Sequence, residues 1–184
     1  MIKLNGVILL SLLMLAGGLP VSAQDVIPPQ NAAAAPVNLM EAEWKFLKAY
    51  GEGKDKDVAQ AVLPELAEWL KLYSDGAYGA EAQLLKANLH LKLGDSKFAI
   101  VDLLKHVQEY PQAESNAAAR KLFTDTSNKK MDKKVIVALT EVGKAPESSD
   151  KAERLALFLG KLAVRAGVEF YEPLVAEFRG FSGR

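Results

Sequence analysis

The sequence predicts an all-α protein, a solenoid of about four helical hairpins, and three observations predict it. From Asn38 onward, apolar residues recur at three- and four-residue intervals. No stretch alternates strictly. Val135-Ile136-Val137 is the one short run that reads like a strand, and its flanks are helical. Three similar joints also recur: Tyr73-Ser74-Asp75-Gly76, Tyr110-Pro111-Gln112-Ala113 and Ala145-Pro146-Glu147-Ser148. Their second residues stand 37 and 35 positions apart. This period places hairpins at about 39–73, 77–109, 112–144 and 149–179. A hairpin of that size cannot bury its own apolar face, so each must lean on the next.

The elements follow in order. Trp44, Phe46, Leu47 and Tyr50 give the first helix a broad apolar face, and Gly51-Glu52-Gly53-Lys54 reads as its ending turn. Val58, Ala61, Val62, Leu66, Trp69, Leu70 and Tyr73 mark the second helix. Pro64 is expected to kink or restart it. Trp44 and Trp69 are expected in the seam of this first pair. Leu84, Leu85, Ala87, Leu89, Leu91 and Leu93 form the next helix, which Gly94-Asp95 ends. Phe98 to Val107 carries the one after, which Tyr110-Pro111 stops. Ala82 and Ala119 lie eight residues after Ser74 and Pro111. Each sits early in a helix, where a small side chain lets two helices approach closely.

The chain opens differently. Residues 1–23, MIKLNGVILLSLLMLAGGLPVSA, join a basic start at Lys3, an apolar run from Val7 to Leu19 and small residues before Gln24. This is the plan of a secretory signal peptide, cut after Ala23. The run is short for a membrane span and contains Gly17 and Gly18. No cysteine follows it to carry a lipid, so no stable membrane anchor is expected after cleavage. Residues 24–38, with three prolines and an alanine run, read as a flexible leader, and 39–184 as the helical repeat domain.

Composition narrows the function classes. Lys plus Arg number 23 and Asp plus Glu 23, so no net field attracts nucleic acid. The absence of cysteine excludes a thiol nucleophile, a disulfide framework and a cysteine metal site. His90 and His106 fall on different helices with no carboxylate at a metal-ligand spacing, and read as partly buried or surface residues. No phosphate-binding glycine loop, GxSxG elbow, HExxH or EF-hand loop occurs. No cofactor, metal or catalytic residue is therefore expected.

The segment AEAQLLKANLHLKLGDSKFAIVDLLKHVQEYP resembles a tetratricopeptide (TPR) motif, through Ala87, Gly94, Ala99 and Pro111 at the expected offsets. The joints YSDGAYGAEAQ and YPQAESNAAARKLF are similar to the tyrosine-proline linkers of envelope TPR proteins, among them outer-membrane assembly lipoproteins and Tol–Pal-associated proteins. Residues 73–123 carry the likeness. Residues 39–72 are looser, and 124–184 match only in helical pattern. The resemblance implies a right-handed α-α superhelix and a protein-binding scaffold or adaptor in the bacterial periplasm, with a protein or peptide of the cell envelope as partner. The alternatives are an accessory subunit of an envelope assembly complex and an enzyme acting on cell-wall polymer with carboxylates such as Glu43, Glu65 and Glu81.

Two candidate partner-binding regions follow. First helices of stacked pairs line a concave face, which here presents Glu81, Leu84, Asn88, Leu91 and Lys92. Asn88 resembles the asparagine with which some TPR grooves hold a peptide, although Leu84 stands where a lysine is usual. At the chain end, Phe170, Tyr171, Phe178 and Phe181 concentrate aromatics that would cap the array, dimerise or receive a partner. Lys129, Lys130, Lys133 and Lys134 form a basic cluster read as a solvated helix start or a contact for an acidic partner.

Overall fold

The structure, a computed structural model, describes residues 38–144 and 148–181, the last two in backbone only. Residues 1–37, which carry the expected signal peptide and most of the expected leader, and the joint residues Ala145, Pro146 and Glu147 lie outside the described residues. Among the described residues eight α-helices follow one another: α1 (Leu39–Gly51), α2 (Lys56–Tyr73), α3 (Gly79–Leu93), α4 (Ser96–Glu109), α5 (Asn116–Lys130), α6 (Lys133–Val142), α7 (Lys151–Arg165) and α8 (Tyr171–Phe181). A 3-10 turn, Val168–Phe170, precedes α8. The described residues contain no strand. The all-α prediction holds, and Val135–Val137 lies inside α6.

Local chemistry sets the ends. Asn38, assigned above to the leader, is the N-cap of α1, its side chain accepting from the Glu41 N–H. Asp55 caps α2 and Asp150 caps α7 in the same way. Gly94 ends α3 at φ +97°, where a side chain would be strained, and the Asp95 N–H closes the turn on the His90 carbonyl at 2.8 Å. Pro64 neither breaks nor restarts α2, which runs through it. The carbonyl it leaves without a partner belongs to Gln60, an exposed position where water can satisfy it.

The first two joints bind to each other. The Tyr110 hydroxyl donates to the Ser74 carbonyl at 2.8 Å, which ties the end of α4 to the end of α2. Gly79 sits beneath this bond. A Cβ there would lie 2.1 Å from the Ser74 oxygen and 2.9 Å from the Tyr110 hydroxyl, so only glycine fits. Ala82, Ala87, Ala99 and Ala119 are fully buried where helices approach.

Three apolar clusters build the core. Trp44, Leu47, Leu66, Trp69 and Leu89 join α1, α2 and α3, with the two indoles 5.6 Å apart. Leu103, Val107 and Ala119 join α4 to α5. Ile100, Leu104, Leu139, Phe158, Leu162 and Phe170 join α4, α6, α7 and the turn before α8. Each large side chain fully buried in these clusters contributes about 1.5–3 kcal/mol.

α4 departs from the expectation that each pair touches only its neighbours. It packs against α3 and α5, but also against α7 and α8 of the last pair. Residues Ala99 to Leu104 are all buried, so α4 is enclosed around its whole circumference. The last pair therefore folds back on the second. This places α8 beside α3 and α4 and closes a cleft between them.

Candidate functional site

Two concavities among the described residues differ in kind. The first is a shallow groove of about 470 Å³ between α1 and α3. It brings together four residues expected on the concave face, Glu81, Leu84, Asn88 and Lys92, and adds Trp44, Lys48 and Glu52 from α1 and its end. Leu91, half-buried, is not among its lining residues. Lys48 donates to Glu81 across the groove at 3.1 Å, in an exposed pair. Lys92 donates to the carbonyls of Gly51 and Gly53, so its ammonium caps the last turn of α1. Exposed Asn88 donates to the Leu84 carbonyl within its own helix.

The second concavity is a cleft of about 400 Å³ between α2, α3, α4, α7 and α8. Leu63, Ala67, Leu70, Leu155, Phe158 and Leu159 give it apolar walls. A polar cluster also lines it. Asp102, almost fully buried, accepts on Oδ1 from Gln83 at 3.0 Å and from Lys86 at 2.7 Å. Glu177 of α8 accepts from Lys86 at 3.3 Å and from Lys105 at 2.6 Å. Burial pushes the Glu177 carboxyl up, but the charges of Lys86 and Lys105 outweigh it and hold it at about 2. Burial likewise disfavours the Lys86 ammonium, and Asp102 and Glu177 together reverse that, raising it.

His90 lies at the edge of this cluster, stacked on Phe98 with ring centroids 5.1 Å apart. Its Nε2 is 3.5 Å from Asp102 Oδ2, and its Nδ1 is 3.8 Å from Asp95. Burial lowers its pKa against the pull of Asp102. His106 is also buried, with Nε2 2.9 Å from the Ser115 hydroxyl, and burial lowers its pKa to about 4. Both histidines are more enclosed than their flanking residues imply. His90 has two carboxylates nearby, one on the loop after α3 and one on α4, which no spacing in the sequence reveals.

The aromatic end divides. Phe170 is fully buried and is not available to a partner, because it belongs to the core cluster formed with residues of α4, α6 and α7. Tyr171 and Phe178 are exposed. The side chain of Phe181 lies outside the described ones. Leu157, Val164 and Val168 are exposed as well. The basic cluster is split: Lys129 and Lys130 occupy the last turn of α5, where the helix dipole favours cations, and Lys133 and Lys134 open α6. All four are exposed.

Sequence reasoning missed Lys86, Asp102, Lys105 and Glu177. Their signal is a charge set within an apolar run: Lys86 between Leu85 and Ala87, Asp102 between Val101 and Leu103, Glu177 between Ala176 and Phe178. A charge inside such a run is either solvated or paired in the core. Comparison with protein families, with curated proteins and with solved structures finds no match.

Proposed function

We propose that the chain is a TPR-like protein-binding scaffold or adaptor of the bacterial cell envelope, exported to the periplasm by residues 1–23, and not an enzyme. A peptide or protein segment docks in the groove between α1 and α3. The observation that carries this reading is the convergence of Leu84 and Asn88 over a floor of buried Trp44 and Leu85 in one open groove, which the exposed pair of Lys48 and Glu81 crosses. An apolar strip with peripheral polar groups suits a peptide held by side-chain contacts and a few hydrogen bonds. The interlocked joints at Ser74 and Tyr110, one repeat apart, support a stack of helix pairs.

A photo-crosslinking residue in place of Asn88, with one in place of exposed Gln60 as control, tests the proposal in cells. The expected result is one envelope protein crosslinked at position 88 and not at 60, lost on Leu84→Glu, with a mature N-terminus at Gln24. Identical adducts at both positions, or an uncut chain held in the cytosol, overturn it.

A second reading, an accessory subunit of an envelope assembly complex, is favoured by exposed Val164, Val168 and Tyr171. A monomeric mass that ignores Val164→Glu in the presence of envelope extract counts against that reading.

A further inference from the structure

α7 is apolar on both of its faces. The inner face, with Leu155, Phe158, Leu159 and Leu162, is buried in the core. The outer face carries Ala156, Leu157, Gly160, Ala163 and Val164, all exposed. Val164 is 86% exposed, and Val168, just past the helix, is 94% exposed. A helix that is apolar all round is one with neighbours on every side. α4 has those neighbours. Among the described residues nothing covers the outer face of α7, so the packing that its composition calls for is incomplete.

Gly160 shows how close the missing neighbour comes. Glycine in the middle of a helix lowers its stability relative to alanine. Nothing in the described fold requires it: its φ is not positive, and a Cβ there would meet no atom within 4 Å. With Ala156 and Ala163 about one turn to either side, it leaves a low strip on which a second helix backbone can lie close.

The pattern around Gly160 also matches itself under a half-turn. Four residues before it and three after stand the alanines 156 and 163; three before and four after stand Leu157 and Val164. A two-fold contact needs a patch that is complementary to itself, and a different partner needs no such pattern. Set antiparallel across an axis at Gly160, two copies place Leu157 of each against Val164 of the other, and Ala156 of each against Ala163 of the other. Charge selects the same arrangement. Glu153 is the one charged side chain within the strip, and it accepts from the Ser148 hydroxyl at 2.5 Å. A parallel pair would bring the two Glu153 carboxylates together. The antiparallel pair sets each beside Gly167 of the other copy, where a Cβ would meet nothing within 4 Å, and it opposes the two helix dipoles.

We propose that the outer face of α7 is a homodimer interface, covered by a second copy of this chain in an antiparallel two-fold α7–α7 contact. The strip shares no residue with the α1–α3 groove, so the inference does not rest on the peptide-docking reading.

Sedimentation velocity of the purified chain over a concentration series is expected to show a dimer that dissociates on dilution. Val164→Glu, at an exposed position, is expected to raise the dissociation constant about a hundredfold or more, with unchanged circular dichroism, because the two-fold axis buries two added charges. The chain has no cysteine, so introduced thiols report the contact directly. Leu157→Cys mixed with Val164→Cys is expected to form a mixed disulfide faster than either variant links to itself. Arg165→Cys, on the same helix outside the strip, is expected to form none. A chain that is monomeric at every concentration overturns the proposal, whether the strip then stays bare or is taken by a different envelope protein. So does a dimer that Val164→Glu leaves intact. Leu157→Cys linking to itself faster than to Val164→Cys overturns the antiparallel register.

Discussion

The two concavities use the same ion-pair chemistry in opposite surroundings. In the α1–α3 groove, Lys48 and Glu81 meet at 3.1 Å with both side chains about half exposed. In the cleft under α8, Lys86 meets Asp102 at 2.7 Å with the carboxylate 2% exposed. Water screens the first pair and leaves it worth little. The second has lost its water, so each member depends on the other, and removing one strands a charge in the interior. The groove can therefore exchange its partners freely, as a docking surface must. The cleft is a fixed electrostatic joint that ties the last helix to the second pair.

The largest expected effect breaks that joint. Lys86→Met removes the one cation that Asp102 and Glu177 share, leaving Lys105 on Glu177 alone. It should cost about 3–5 kcal/mol of unfolding free energy, measured by urea denaturation. A cost near that of a surface substitution would mean that the cleft is as wet as the groove, and the contrast would disappear.

Proton linkage sharpens the comparison next. His106 is pushed by burial from 6.5 to about 4, so the unfolded chain takes up its proton first. The stability tied to keeping it neutral is fully present above pH 6.5 and is lost as pH falls towards 4. Glu177 is held at about 2 against 4.5, so its contribution is present above 4.5 and is lost as pH falls from there to about 2. The urea midpoint should therefore fall in two successive windows. His106→Gln should flatten the upper one in part, because buried His90 titrates in the same direction. Glu177→Gln should flatten the lower one. A midpoint that falls equally steeply in both variants removes these groups as the cause.

How much was legible in the sequence follows the range of the interactions. Periodicity and joints located all four helix pairs, because a helix face and a turn are written within a few residues. They also put Glu81, Leu84, Asn88 and Lys92, at intervals of three and four, on the one helix face that lines the α1–α3 groove. They failed where residues distant in sequence meet. Glu177 reaches Lys86 across 91 positions, a pairing set by the fold of α7 and α8 back onto α4. Phe170 failed for a related reason. Its neighbours Tyr171 and Phe178 are exposed, and only contacts with residues of α4, α6 and α7 decide that Phe170 is core. The enclosure of α4 was half written: Ile100-Val101 and Leu103-Leu104 around Asp102 leave no polar face, the pattern of a helix with neighbours on every side.

The smallest expected effect tests the groove side. Lys48 and Glu81 attract across 3.1 Å, yet both can turn to water when unpaired. Lys48→Ala and Glu81→Ala should each change stability by less than about 1 kcal/mol, and a double-mutant cycle should return a coupling of about 0.2–1 kcal/mol. Salt separates this pair from the buried one more sharply than magnitude does. Molar sodium chloride shortens the screening length to about 3 Å in solvent, so the Lys48–Glu81 coupling should vanish there. The penalty of Lys86→Met should persist, because ions do not reach between Lys86 and Asp102. If both respond to salt alike, the interior pair is solvated and is not what holds α8 in place.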